Sequence, residues 1–177
     1  NRLLSRWVGP VLVARQFSGD SPFKNILVVT DFGPGSEQLM STAAGIGIAA
    51  GVQITVNTVI EDPRKRDAGN LISGGLKIDP KRLKAMGEKN ARKQMAQLMS
   101  GLEVPFAMQE AFANVKPRGK ALFGPVLEQV QEVVQSLDDP LIIIGRAQKT
   151  TTEGQRLGSV AEAIVRYVPA HVLVVPL

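Results

Sequence analysis

Short apolar runs alternate along the chain with segments whose apolar residues recur at helical spacing. Four runs indicate strands buried on both faces, because they are apolar or β-branched and are bounded by turn-forming residues. They are Ile26–Thr30, Gln53–Ile60, Leu141–Ile144 and Val172–Val175. A fifth strand is predicted at Val104–Met108, where apolar residues alternate, and Pro105 favours an edge position for it.

Amphipathic helices are predicted between these strands. Their apolar stripes are Leu39-Ala43-Ile46-Ala50, Ala91-Met95-Leu98-Leu102, Val126-Val130-Val133-Leu137 and Val160-Ile164-Tyr167. Ser36 and Ser159 are predicted as helix caps, the second with Glu162 three residues later as a capping box. Gly51 is predicted to end the first helix, and Pro80 to begin the second. Helices between successive strands are what parallel pairing requires.

This alternation predicts an α/β fold, a doubly wound and mostly parallel five-stranded sheet with helices on both faces. Parallel strands place their carboxyl-end loops on one edge, and ligands bind there at the point where the strand order reverses. The loops expected at that edge are Asp31–Ser36, the connection after Ile60, Asn114–Gly124 and Gly145–Gly158. Lys116, Arg118 and Lys120 in the third loop lie at the end of the sheet where they could meet phosphates, and exposed loop charge is the interpretation we favour.

Composition limits the chemistry available at that edge. The chain has 177 residues, 44% of them hydrophobic, which suffices for one domain with its own core. It has no cysteine and a single histidine, His171, so cysteine-ligated and histidine-rich metal sites are excluded. His171 precedes the last strand and is interpreted as a structural or interface residue. No apolar run approaches the roughly 20 residues of a membrane helix. With no cysteine, we expect a cytoplasmic location.

The positive charge is concentrated in one segment. Between Asp62 and Lys93, ten basic residues stand against four acidic ones, so this segment carries +6 and the rest of the chain −1, for a total of +5. A patch for a polyanion is one interpretation, and a solvated helix face with a charged loop is the interpretation we favour. No nucleic-acid partner is expected, because no aromatic residues are interleaved with these charges.

The first residues resemble the last ones. Arg6-Trp7-Val8 followed by Pro10–Val13 parallels Arg166-Tyr167-Val168 followed by Val172–Val174, with one extra residue in the later copy. We therefore interpret residues 1–16 as the closing helix end and strand of a preceding copy, residues 17–25 as a linker, and residues 26–177 as the domain. A targeting presequence is an alternative, because three arginines occur with no acid before Asp20, and a sequence artefact is another.

The stretch from Gly145 to Ser159 carries the most informative spacing. Gly145-Arg146-Ala147-Gln148 is followed by nine residues and then by Gly158-Ser159. Glycines let a backbone approach phosphate closely, and a helix start offers free N–H groups. No nucleophile, base and orienting group can be assembled from the spacing, and no P-loop is present, so no catalytic residue is named.

Taken together, these segments resemble the universal stress protein family over about residues 25–177. The matching segments are Ile26–Phe32, Gly35-Ser36-Glu37, Ile54–Pro63, Leu141–Gly145, Gly158-Ser159-Val160 and Val172–Pro176. The resemblance implies a Rossmann-like, adenine nucleotide alpha-hydrolase-like sheet in the order 3-2-1-4-5. It also implies a dimer or pseudo-dimer through the last strand, Val172–Val175, for which Val11–Val13 is a candidate partner within the chain or from another one.

One branch of that family binds ATP through Gly-x-x-Gly, nine residues and Gly-Ser/Thr. The resemblance assigns the phosphates to Gly145, Gly158 and Ser159, with ATP, accompanied by magnesium, as the ligand. Here the second glycine is replaced by Gln148, whose side chain is bulky. Gln148 either hinders the approach of phosphate or donates a hydrogen bond to it.

The same resemblance assigns the rest of the nucleotide. Asp31 would contact the ribose hydroxyls, and the backbone around Val59 would contact adenine. Thr30 and Val160 would line the pocket. No metal site is expected apart from magnesium that accompanies the nucleotide.

Two functions follow from this assignment. The first is a non-catalytic, ATP-binding regulatory module of the stress response, with at most slow incidental hydrolysis. The second is a dimerisation or protein-interaction module of the same fold that binds no nucleotide, which Gln148 favours. The soluble tail of a transporter is a more distant third.

Overall fold

A central sheet runs through the part of the chain that the computed structural model describes. That part comprises residues 9–15, 23–60, 80–115, 117–146, 150–151, 154–155 and 157–177. The strands are β1 (Val11–Val13), β2 (Asn25–Val29), β3 (Gln53–Ile60), β4 (Arg118–Phe123), β5 (Pro140–Arg146), β6 (Thr150–Thr151), β7 (Gly154–Gln155) and β8 (His171–Pro176). The helices are α1 (Ser36–Ala50), α2 (Pro80–Ser100), α3 (Gln109–Val115), α4 (Val126–Gln135) and α5 (Ser159–Tyr167). The connection after β3, Lys116 and Gln148 lie outside the described residues.

The strand order of the main sheet is β1-β8-β5-β2-β3-β4. From β8 to β4 all neighbours are parallel, and the order of these five strands is the predicted 3-2-1-4-5. The central strand β2 has β3 on one side and β5 on the other. The chain first adds β3 and β4 on one side of β2 and then returns to add β5 and β8 on the other side. The order therefore reverses at β2, and the edge beyond its carboxyl end is the place expected for a ligand.

The third parallel strand is not where the sequence predicts it. Residues 104–108 form an extended stretch and the 3-10 helix Phe106–Met108, and Phe106 is 88% exposed. The strand is β4, within the segment predicted as a loop. β4 lies at the edge of the main sheet in the described chain, and its first three residues are exposed. The exposed Arg118 and Lys120 therefore belong to a strand rather than to a loop.

Two hydrophobic clusters cover the two faces of the sheet. Alternate residues of β2 divide between them: Ile26 and Val28 pack with α1 and the buried Leu98 of α2, and Leu27 packs with α4 and α5. The buried residues of β2 are fully inaccessible to solvent, and each such side chain contributes about 1.5–3 kcal/mol of transfer free energy. Burial on both faces explains the continuous apolar run of β2.

The helix ends differ in detail from the predictions. Gly51 ends α1 in a left-handed conformation, as predicted. Ser36 and Ser159 are the first helical residues rather than the caps, and the N-cap positions are Gly35 and Gly158, with no side-chain cap hydrogen bond. The predicted capping box is therefore wrong.

The apolar stripe predicted for α5 is also wrong at two of its three positions. Ala161 and Ile164 of α5 and the following Val168 are buried, whereas Val160 and Tyr167 are 43% and 56% exposed. Val160 lies in the first turn of the helix, at the sheet edge, where the core ends. Because Val160 is exposed there, its apolar side chain can contact a ligand bound at that edge.

The strand β1 covers the outer edge of β8 within the same chain. Val11–Val13 pairs antiparallel with Val172–Val174. The backbone N–H of Arg15 donates to Nδ1 of His171 at 3.1 Å, and the Arg15 guanidinium donates to the carbonyl of Val165 at 2.7 Å. His171 is buried, as expected of a structural residue. These contacts attach the segment 9–15 to both β8 and α5.

The basic helix α2 keeps its charges in solvent. Its exposed cations are Lys81, Arg82, Lys84, Lys89, Arg92 and Lys93. On the opposite side, Ala91 and Leu98 are buried against the sheet, as the predicted stripe requires. Within the described part of the chain, no helix is long and apolar enough to cross a membrane.

Candidate functional site

A cavity of about 1020 Å³ opens at the carboxyl ends of β2, β3 and β5. Six of the seven expected site residues line it, namely Thr30, Asp31, Val59, Gly145, Gly158 and Val160. Ser159 is exposed and does not contribute to the wall, which its two neighbours form. The structure therefore brings residues from β2, β3, β5 and α5 to one place, as parallel topology predicts.

The loop between β2 and α1 is held by a chain of hydrogen bonds. The Phe32 N–H donates to Thr30 Oγ1 at 3.1 Å, and Ser36 Oγ donates to the carbonyl of Gly33 at 2.7 Å. The hydroxyls of Thr30 and Ser36 are 2.8 Å apart. Because the Ser36 hydrogen goes to Gly33, Thr30 must be the donor to Ser36. Both hydroxyl hydrogens are thus used inside the loop, and Thr30 organises the loop as well as lining the cavity.

This loop also orients the carboxylate of Asp31. The Gly33 N–H donates to Asp31 Oδ1 at 2.8 Å, which closes a turn around the side chain. Phe32 and Gly35 have φ values of 58° and 87°, so the loop bends sharply on either side of Gly33. Asp31 itself stays exposed at the cavity. A fixed, solvent-accessible carboxylate is suited to accept hydrogen bonds from ligand hydroxyls.

The rest of the wall is mainly apolar. It includes Val29, Leu39, Val59, Val126, Ile144 and Ile164. Two amides on α2, Asn90 and Gln94, also line it, one helical turn apart. Sequence analysis missed both amides. Their proximity to the small Gly87 and Ala91 is the signal that could have found them, because small residues let α2 approach the sheet edge.

Gly145, the last residue but one of β5, does not leave open space beside it. A Cβ at Gly145 would lie 2.9 Å from Cγ of Leu177 and closer still to its Cδ1. A Cβ at Gly35 would lie 2.7 Å from Cβ of the same leucine. The Leu177 N–H donates to the carbonyl of Arg146 at 3.1 Å, which continues the β8–β5 pairing. The missing side chains at Gly145 and Gly35 therefore accommodate Leu177, which itself lines the cavity.

The start of α5 is open by contrast. Among the described residues, a Cβ at Gly158 would meet nothing within 4 Å. No side chain caps this helix, and its first-turn N–H groups point out of the helix end. The N-terminal end of a helix attracts anions through these groups and the helix dipole. This is the part of the cavity best suited to a phosphate group.

Charge in the cavity is sparse. Among the described lining residues, Asp31 is the charged side chain. The two side chains with a raised pKa lie elsewhere: hydrogen bonding and charge attraction to Asp138 raise the pKa of Lys24, and hydrogen bonding to Tyr167 raises the pKa of Arg166. No cluster of three potential metal ligands occurs among the described residues. The described wall is therefore neutral apart from one carboxylate.

The fold and the cavity together define a class of protein, an α/β domain with a ligand cavity at the switch point of a parallel sheet. The model of the universal stress protein family matches residues 22–176. The chain therefore belongs to the universal stress protein family. No curated protein sequence matches it.

Solved structures share the fold at low sequence identity. A universal stress protein in complex with cAMP is 16% identical, with 88% of this chain and 98% of that chain covered and a TM-score of 0.53. A family member from Burkholderia pseudomallei is 17% identical over 90% and 100% of the two chains, with a TM-score of 0.59. A universal stress protein from Archaeoglobus fulgidus is 17% identical over 94% of this chain but 50% of that one, with a TM-score of 0.57.

Proposed function

We propose that this chain is a non-catalytic regulatory module that binds an adenine nucleotide at the carboxyl edge of its sheet. The observation that carries the proposal is the Asp31 carboxylate, held by its loop between an apolar pocket and the uncapped start of α5. A neighbour in the same family was solved in complex with cAMP, which supports a nucleotide as the ligand class. The glycine spacing of the sequence by itself favours ATP, but it takes no account of Leu177, which lies against Gly145.

The adenosine half of such a ligand fits the described wall. Val59 and the apolar residues around it would pack against the base, whose edge would meet backbone groups of β3. Asp31 would accept hydrogen bonds from the ribose hydroxyls. The cavity volume is at the upper end of the roughly 300–1,000 Å³ typical of small-molecule sites.

The phosphate half would lie at the start of α5. Gly158 leaves room there, the first N–H groups of the helix would donate, and the Ser159 hydroxyl would add a bond on turning inward. Val160 would close the pocket from the side. Magnesium, if present, would arrive with the phosphates, since the described residues form no metal cluster of their own.

Binding without turnover is proposed because no nucleophile and base are paired among the described residues that line the cavity. The hydroxyl hydrogens of Thr30 and Ser36 are committed to the loop. A bound nucleotide would instead act by fixing the β2–α1 loop against α5. That change would be read by a partner or by the state of assembly in the cytoplasm.

The pairing of β1 with β8 supports a pseudo-dimeric arrangement in which residues 1–16 end a preceding copy. The match to the A. fulgidus neighbour covers 94% of this chain but only 50% of that chain. With β1 over β8, we expect the chain to be monomeric in light scattering. Deletion of residues 1–15 would expose the apolar edge of β8 and shift the protein to a dimer. A monomer after deletion would contradict this arrangement.

Calorimetry on ligand-stripped protein tests nucleotide binding. ATP, AMP and adenosine are titrated into the wild type, Asp31→Asn and the control Glu110→Gln, whose carboxylate is exposed on α3. We expect Asp31→Asn to weaken binding about tenfold or more, which corresponds to 1.4 kcal/mol, and Glu110→Gln to match the wild type. If Asp31→Asn binds these ligands as tightly as the wild type, Asp31 does not contact the nucleotide.

The second candidate is a module that binds no nucleotide and acts through protein contacts. The position of Leu177 over Gly145 favours it, because the space beside Gly145, one of the two glycines expected to admit phosphate, is filled. Absence of binding by all three ligands up to millimolar concentration would select this function and overturn the first.

A further inference from the structure

We propose that Leu177 restricts the cavity to ligands with at most one phosphate, so that an adenine nucleoside or nucleoside monophosphate is preferred over a triphosphate. The inference rests on the proposed function and names the ligand class of the same site. The choice between monophosphate and triphosphate is thereby assigned to Leu177, which directly follows β8 and is not part of the segment Gly145–Ser159.

Leu177 limits the length of a bound phosphate chain sterically. A phosphate chain bound along the glycine spacing needs close approach to the backbone at both Gly145 and Gly158. No atom of the described residues lies within 4 Å of the position that a Cβ at Gly158 would take. At Gly145 the same position is occupied by Cγ and Cδ1 of Leu177. One phosphate can therefore reach the start of α5, while a second and third would have to displace an isobutyl group.

Leu177 is held where it lies by contacts on three sides. Its N–H is bonded to the carbonyl of Arg146, and its side chain fits against Gly145 and Gly35. It also packs against the hydrophobic cluster on the α1 side of the sheet and is half-buried. Moving it would break this packing and expose apolar surface, which costs free energy.

The charge of the described wall also disfavours a triphosphate. A triphosphate brings about four negative charges, and proteins hold such ligands with Lys, Arg or Mg²⁺ as well as helix N-termini. The charged side chain among the described lining residues is Asp31, which is negative. The amides of Asn90 and Gln94 are neutral donors and acceptors. Within the described part of the wall, one helix N-terminus beside this carboxylate balances a monophosphate far better than a polyphosphate.

The test compares AMP, ATP with magnesium, and adenosine by calorimetry on four proteins. They are the wild type, Leu177→Ala, Leu177→Met and the control Leu173→Ala, which removes a half-buried leucine from the same face of β8. We expect the wild type to bind AMP about tenfold tighter than ATP. Leu177→Ala should bind ATP about tenfold tighter than the wild type does, with little change for AMP. Leu177→Met and Leu173→Ala should keep the wild-type preference.

Each outcome decides the inference. ATP binding to the wild type as tightly as AMP would overturn the inference and leave the proposed function standing, and this comparison needs no variant. An AMP preference that is unchanged in Leu177→Ala, with an unchanged circular dichroism spectrum, would also overturn the role of Leu177. Binding of none of the ligands to any of the four proteins would overturn the proposed function itself. An affinity difference between AMP and ATP that becomes smaller in Leu177→Ala, and in none of the other three proteins, supports the inference.

Discussion

The hydroxyl oxygens of Thr30 and Ser36 lie 2.8 Å apart, buried between the end of β2 and the first residue of α1. Thr30 donates to Ser36, and Ser36 donates to the carbonyl of Gly33. The same glycine uses its N–H to hold Asp31. The strand, the loop and the helix are thus connected through two hydroxyl groups, and the orientation of the Asp31 carboxylate depends on them.

Replacing Ser36 with alanine should break this connection. The Thr30 hydroxyl and the Gly33 carbonyl would lose their partner in a buried position, at a cost of about 1–3 kcal/mol in the free energy of unfolding. We expect urea denaturation to show this loss, and ligand binding to weaken because Asp31 is less fixed. Ser41→Ala, at an exposed position of α1, is the control. A Ser36→Ala protein as stable as Ser41→Ala would show that the bond contributes nothing.

His171 should hold the β1 segment through its ring nitrogen. In His171→Phe the Arg15 N–H loses its acceptor, so β1 should open more often. Hydrogen exchange at Val11–Val13 is then expected to accelerate, while exchange in the central strand β2 stays slow. His171→Gln provides a matched variant, because its side-chain oxygen can accept the bond. Unchanged exchange at β1 in His171→Phe would show that strand pairing alone retains the segment.

Two glycines of α1 should respond to alanine with opposite sign. Gly45 has nothing within 4 Å of the position a Cβ would take, so Gly45→Ala should stabilise the protein by about 0.5–1 kcal/mol. At Gly47 a Cβ would lie 2.7 Å from Cδ1 and 3.0 Å from Cγ1 of Ile54. Overpacking of this kind costs about 1–3 kcal/mol, which outweighs the gain in helix propensity. Urea unfolding measures the change in the free energy of unfolding for each variant. Stabilisation by Gly47→Ala would show that Ile54 in β3 moves aside to make room for the added methyl group.

The side chain of Asn57 should be dispensable for stability. It is 1% exposed in the middle of β3, and neither amide atom has a hydrogen-bond partner among the described residues. Asn57→Val removes these two polar atoms and favours a strand. We expect the free energy of unfolding to rise by about 1 kcal/mol. Thermal denaturation without ligand measures it, and a lower melting temperature would indicate that the amide is satisfied.

The elements that the sequence predicts well are those whose local pattern reports their final environment. The run Ile26–Thr30 is apolar throughout because β2 is covered on both faces, and Gly51 ends α1 because its φ of 65° disfavours other residues. The edge strand β4 is not predicted, because its local pattern does not report its final environment. One side of the strand is unpaired and its first three residues are exposed, so its first half has the polar pattern of a loop.

Within the site, the sequence by itself determined which segments meet, because the carboxyl ends of parallel strands must lie on one edge. It thereby indicated that Asp31, the end of β3 and Gly158 are neighbours, and the family resemblance added Val59. Only the tertiary structure decided what occupies the space beside them. Leu177 and Gly35 are separated by most of the chain, and no local pattern reports that a leucine after one strand packs against a glycine after another. Contacts of this kind depend on the packing of whole elements, and they determine how much of the cavity a ligand can use.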